Sequence, residues 1–97
     1  MATYIVLGSF TEQGIRAIKD TTKRAEALRG IGKKAGVTVK EVYWTLGQYD
    51  VATIVDAPDD AAVTAFGLSV GALGNVRTQT LRAFSAEEMG KIVGKIG

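Results

Sequence analysis

Apolar and polar positions along the chain sort into short strand-like runs separated by two longer helical ones. Thr3 to Phe10 (Thr-Tyr-Ile-Val-Leu-Gly-Ser-Phe) is dense in β-branched and aromatic residues and is broken by Thr11-Glu12-Gln13-Gly14, which reads as a first strand. Gln13 to Lys19 carries Ile15 and Ile18 through a short helical turn. Asp20-Thr21-Thr22 then offers side-chain oxygens to cap a longer helix running to about Ala35. Ala25, Leu28, Ile31 and Ala35 recur at helical spacing as its buried stripe. Gly30 and Gly32 weaken this helix by about 1 kcal/mol each relative to alanine, and Gly36 supplies its stop.

Val37 to Leu46 reads as a second strand and Val51 to Ala57 as a third, joined through Gly47-Gln48-Tyr49-Asp50 as an antiparallel hairpin. Pro58-Asp59-Asp60 opens the next helix: proline suits the first turn, and an aspartate caps free amides at the positive end of the helix dipole. Its predicted buried stripe is Ala62, Phe66, Val70 and Leu73. Gly74-Asn75 ends it, and Val76 to Phe84 forms the fourth strand. Ser85-Ala86-Glu87-Glu88 has the spacing of a capping box, which assigns Met89, Ile92, Val93 and Ile96 to a final helix.

Each helical crossover is long enough to return the chain for a parallel strand, whereas strands two and three meet through a tight turn. The expected fold is therefore α+β, a ferredoxin-like βαββαβ unit: one four-stranded antiparallel sheet, helices on one face, and an extra C-terminal helix. It spans residues 1–97 as one domain. Helices on one side leave the other side bare, and that side is not polar. Strand one places Ile5 and Leu7 on one face and Tyr4, Val6 and Phe10 on the other; strand three places Val51 and Val55 opposite Ala52 and Ile54. A four-stranded sheet leaves roughly 400 Å² open in projection, within the range of apolar patches that mark interfaces. The expected partner is a second copy of the chain, meeting the first through Val6, Ile54 or their alternates. A C-terminal helix folded back over the sheet is the competing arrangement.

Composition narrows the chemistry. The chain of 97 residues has no Cys and no His, which removes disulfides, thiolate nucleophiles, the usual zinc hydrolases, His-ligated haem and His-dependent triads. Any acid-base step would fall to carboxylates, Tyr, Lys or Arg. No metal or cofactor is expected. The net charge of +2 is spread along the chain, and the locally basic stretch from Arg16 to Lys40 contains no interleaved aromatics, so it reads as a solvated helix face and not a nucleic-acid surface. No apolar run reaches the roughly 20 residues of a membrane span, and no basic leader precedes the first strand; the expected location is cytoplasmic.

The residues singled out for chemistry lie on the hairpin and the strands beside it. Gly47 suits a positive φ, Asp50 can accept a backbone amide or act as a base, and Tyr49 can pack over the turn or line a pocket mouth. Tyr43 and Trp44 are neighbours on a strand and face opposite sides. Strand four is unusually polar, alternating Val76, Thr78, Thr80 and Arg82 with Arg77, Gln79, Leu81 and Ala83. An edge position explains that, as does an anion-binding role for Arg77 or Arg82. Tyr43, Trp44, Tyr49, Asp50 and Arg77 are the candidate ligand-binding residues; no set of them meets the demands of a named reaction.

Gly47-Gln48-Tyr49-Asp50-Val51 and Gly74-Asn75-Val76-Arg77-Thr78, with Val37 to Thr45 before the first and Pro58-Asp59-Asp60 after it, resemble the GYD family of small bacterial proteins over nearly the whole chain. The resemblance implies a dimeric α/β-barrel assembly, with two ferredoxin-like sheets packed face to face. The resulting expectation is a small homo-oligomeric protein that binds a small molecule in or beside the sheet. The alternative is a cofactor-independent monooxygenase or isomerase of the dimeric α/β-barrel type, by analogy of fold alone.

Overall fold

A computed structural model describes residues 1–97. Strand β1 (Ala2–Phe10) leads through a short helix α1 (Glu12–Arg16) and a 3₁₀ turn (Ile18–Asp20) into α2 (Thr21–Ala35). β2 (Thr38–Trp44), β3 (Val51–Ala57), α3 (Asp60–Ala72), β4 (Val76–Ala83) and α4 (Ala86–Val93) follow. The strands form one sheet of order β2-β3-β1-β4 with every neighbouring pair antiparallel. This is the ferredoxin-like α+β arrangement expected from the two crossovers and the hairpin.

α2 and α3 lie on one face, and the core sits between them and the sheet. Tyr4 and Val6 of β1, Val39 of β2 and Val55 and Ala57 of β3 meet Val63, Phe66 and Val70 of α3, with Val37 closing one side. Leu28, Ile31 and Ala35 contribute the α2 stripe at the spacing expected. α3 differs from its expected stripe: Val63 is buried, whereas Leu73 is 57% exposed. Its helical residues are apolar nearly all round, so spacing alone could not choose the inward face. Val6 likewise belongs to the helix side, and Ile5 takes its place on the bare face.

Local signals set the element ends. Asp59 accepts from the Ala62 amide at 2.9 Å as the N-cap of α3. Ser85 and Glu88 form both bonds of the capping box on α4. Asp20 occupies the N-cap position of α2 but makes no side-chain cap bond; the 3₁₀ turn runs directly into the helix. β2 is shorter than expected, because Thr45 already donates to the Asp50 carbonyl at 2.8 Å and the chain turns from there. Gly36 ends α2 in the left-handed region (φ 77°). Gly32 is more than a weak point in α2: a Cβ there would lie 2.7 Å from the Val37 carbonyl oxygen, so the close packing of helix end and strand requires glycine.

The chain is less compact than its mass implies. Its surface of 6431 Å² exceeds the folded-monomer expectation for 10.2 kDa by about 1,100 Å². The Cα radius of gyration is 14.5 Å, against roughly 12.5 Å expected for this length. α4 is joined to β4 through an Arg82–Glu88 pair at 3.3 Å and leaves Met89, Ile92 and Val93 exposed. α4 does not fold back over the sheet.

Candidate functional site

The hairpin between β2 and β3 is held by its own loop and by β1. Thr45 Oγ1 donates to the Tyr49 carbonyl at 2.6 Å, and Gly47 turns the chain at φ 103°. The Asp50 amide donates to the Gly8 carbonyl at 2.8 Å, while the Asp50 carboxylate accepts from the Phe10 amide at 2.8 Å. Asp50 thus continues the β1–β3 pairing past the end of the strand and satisfies a backbone donor there. Tyr49 reaches beyond its own turn. Its hydroxyl crosses the sheet to donate to Gln79 Oε1 on β4. Asp50→Asn, which keeps an acceptor oxygen, should leave stability nearly unchanged, whereas Asp50→Ala should lose about 0.5–1.5 kcal/mol; urea unfolding of both variants checks this. A large loss in Asp50→Asn would show that charge, beyond acceptance, matters there.

Registers across the sheet order its bare face into rows. Tyr43, Ala52, Leu7 and Gln79 form one row; Glu41, Ile54, Ile5 and Leu81 form the next; Thr38, Asp56, Thr3 and Ala83 form a third. The centre of this face is apolar and its margins are polar. Tyr43 is 55% exposed and Leu81 41%. Arg77, paired with Ser9, sits exposed at one end of the face. Thr3 and Lys40 both engage Asp56, at 3.1 Å and 3.4 Å.

Trp44 lies on the opposite side, opposite Val51 on the helix face, and its indole N–H donates to Thr21 Oγ1 at 3.0 Å. It lines a cavity of about 230 Å³ between α2, α3 and the sheet. Val6, Leu28, Val42, Phe66 and Val70 supply apolar wall, Thr53 lies in the β3 floor, and Arg24 and Asn75 also line the cavity. Segments from both crossovers lock together beside it. Thr11 donates from its amide and hydroxyl to the Asn75 and Gly74 carbonyls at 3.0 and 2.6 Å, and Gln13 donates to the Leu73 carbonyl at 3.1 Å. Gly14 packs so tightly there that a Cβ would fall 2.1 Å from the Asn75 oxygen. The candidates from sequence therefore divide: Tyr43, Tyr49 and Arg77 belong to the bare face, Asp50 is spent on the backbone, and Trp44 belongs to the cavity.

A polar cluster that the sequence reading did not assemble joins β1, β4, α3 and α4. Tyr4 donates to Asp60, whose acceptor oxygen and charge, with burial, raise the phenol pKa above its ordinary value. The Arg82 guanidinium sits 5.6 Å from the Tyr4 ring centroid and 4.5 Å from that of Phe84. Arg82 also reaches Glu88, whose carboxyl is held below the usual range first by the Ser85 amide and then by Arg82. Arg82 is thus occupied by its own chain. Within the basic stretch, Arg24 and Arg29 donate to backbone carbonyls, and Arg16 pairs with Glu12. No three acidic side chains gather closely enough to hold a metal ion, and no helix is long and apolar enough to cross a membrane.

The loop that ties Gly8 and Phe10 to Asp50 is the Gly-x-Tyr-Asp segment, and the sequence profile of the GYD domain matches residues 4–93 around it. The chain belongs to the GYD domain family. This GYD chain is also similar to a Thermus thermophilus protein named "Glutamine synthetase and cystathionine beta-lyase binding protein", at 32% identity over 90 residues, covering 92% of the chain and 95% of that relative. In the GYD chain Tyr49 spans the bare sheet face to Gln79 and Asp50 closes a strand end.

Proposed function

We propose that this GYD protein is a homodimeric, non-catalytic binding protein that docks on a metabolic enzyme. The observation that carries the reading is the bare sheet face, apolar at its centre through Ile5, Leu7, Ala52, Ile54 and Leu81. A stable interface covers about 800 Å² on each partner, roughly twice the projected area of a four-stranded sheet. The exposed apolar stripe of α4 with Phe84 supplies further area if it reaches over the second copy.

Pairing through the sheet leaves the outer side of α3 free. Ala61, Ala65, Leu68 and Ala72 are exposed there, with Leu68 at 71%, beside a groove lined by Gly67, Gly71, Thr78 and Thr80. A helix that is apolar on its outward side is suited to burial against another protein. The name of the Thermus thermophilus relative makes glutamine synthetase and cystathionine β-lyase the first enzymes to try. Mixed with either enzyme from its own source, the dimer should co-migrate on size exclusion. Leu68→Lys should remove co-migration and leave the dimer intact. A monomer at micromolar concentration, or no association with either enzyme, would count against the corresponding half of the reading.

A further inference from the structure

The cavity beneath α2 and α3 has features that the docking surfaces do not use. Its volume of about 230 Å³ exceeds the roughly 150 Å³ at which an apolar protein cavity holds benzene. Most of its lining is apolar; Thr21, Arg24, Thr53, Asn75 and Thr78 are its polar side chains, and two of them bear most on an occupant. Thr53 is 3% exposed and lines the cavity from β3. Its hydroxyl can both donate and accept, so it offers a polar partner within an otherwise apolar wall.

Arg24 is the second. It lines the same space, is half-buried, and donates to the Ala17 and Gly14 carbonyls at 2.7 and 3.2 Å. Those bonds aim the guanidinium but do not balance its charge. The ion pairs of the chain are Arg16–Glu12, Lys40–Asp56 and Arg82–Glu88, so Arg24 has no carboxylate of its own. A guanidinium held in place by carbonyls keeps further donors for an incoming anion.

We propose that this cavity binds a small organic anion: an apolar body, aliphatic or a single ring, against Phe66, Val6 and Leu28, with a carboxylate at Arg24. Thr53 meets whatever polar atom the body carries inward, or an ordered water beside it. Nothing in this site involves the bare sheet face, so it stays open in a dimer formed there. It shares only Thr78 with the groove beside the outer side of α3.

Trp44, the one tryptophan of the chain, lines the cavity and reports on it. Hexanoate is the probe, with 1-hexanol as its uncharged counterpart. Titration of the full chain with hexanoate should shift Trp44 emission saturably at millimolar concentration, with 1-hexanol weaker by roughly tenfold or more. Arg24→Gln should bring hexanoate down to the 1-hexanol level, and Arg24→Lys should restore part of the difference. Ala25→Phe, which fills the cavity from α2, should abolish the response. Thr53→Val keeps the shape and guards against misfolding of the bulkier variant; it should leave hexanoate binding Arg24-dependent. Leu68→Lys should bind hexanoate as the parent does, which separates this site from enzyme docking. A folded parent with no saturable shift would overturn the proposal, as would equal affinity for hexanoate and 1-hexanol with no effect of Arg24.

Discussion

Phe66→Ala should cost about 3–5 kcal/mol of folding stability and lower the melting temperature by roughly 15–35 °C. Phe66 is 1% exposed, the most buried large side chain of the helical layer, and it packs between α2 and the sheet, 3.5 Å from the position a Cβ would take at Gly32. Removing the ring deletes apolar contact and enlarges a space that is already open beside it. Neighbours cannot close in easily, because the Gly32 contact with the Val37 carbonyl already sets the distance between helix and strand. A domain of this size has a total stability of about 5–15 kcal/mol, so the substitution removes a large share of it. Thermal unfolding followed by circular dichroism gives the number. A fall of only a few degrees would mean that the ring is not a main support of the core.

The second large effect is on assembly. Ile5→Glu should raise the dissociation constant of the proposed dimer by at least roughly 100-fold, because an interface of twofold symmetry would bury the change in both copies at once. Ile5 lies in the middle of the row Glu41, Ile54, Ile5 and Leu81, where a carboxylate would be buried without a cation directly opposite it in its own sheet. The residue is half-exposed in the single chain, so the substituted monomer should still fold. Sedimentation velocity across a concentration series separates the two effects: an undiminished dimer with Ile5→Glu would place the contact on some other surface.

The sequence was informative where structure depends on a few adjacent residues. Val51 to Ala57, the Ser85–Glu88 box and the stop at Gly36 are all set by local chemistry and stand where the sequence puts them, and of the two aspartates that could cap α3 it is Asp59 that does. The choice of Val63 over Leu73 depends on which side of an apolar helix meets the sheet, a tertiary matter that spacing does not encode. The opposed facing of Tyr43 and Trp44 followed from strand alternation. Which of them entered the helix layer required the register with Ala52 and Val51. The cavity was less legible still: Thr53 is an ordinary strand threonine and Arg24 an ordinary helix cation until Phe66, Val6 and Trp44 are seen to enclose the same space. The joining of Tyr4, Asp60, Arg82 and Glu88 likewise depends on segments far apart in sequence.

The irregularity in β2 bears on how far any association can propagate. Between Val39 and Glu41 the pairing with β3 slips by one residue at Lys40, whose ammonium group turns to Asp56. β2 is an outer strand of the sheet, and a regular outer strand is a template on which another chain can add its own ladder. A bulge bends that template, and the adjacent charges of Lys40 and Glu41 make lateral addition unfavourable. On the far side, the Arg82 guanidinium donates to the Thr3 and Ala83 carbonyls beside the end of β4. Contact through the broad side consumes one surface on each of two copies and is then complete, whereas contact along the rims would offer a fresh rim at every step. Lys40 therefore favours finite particles over fibres.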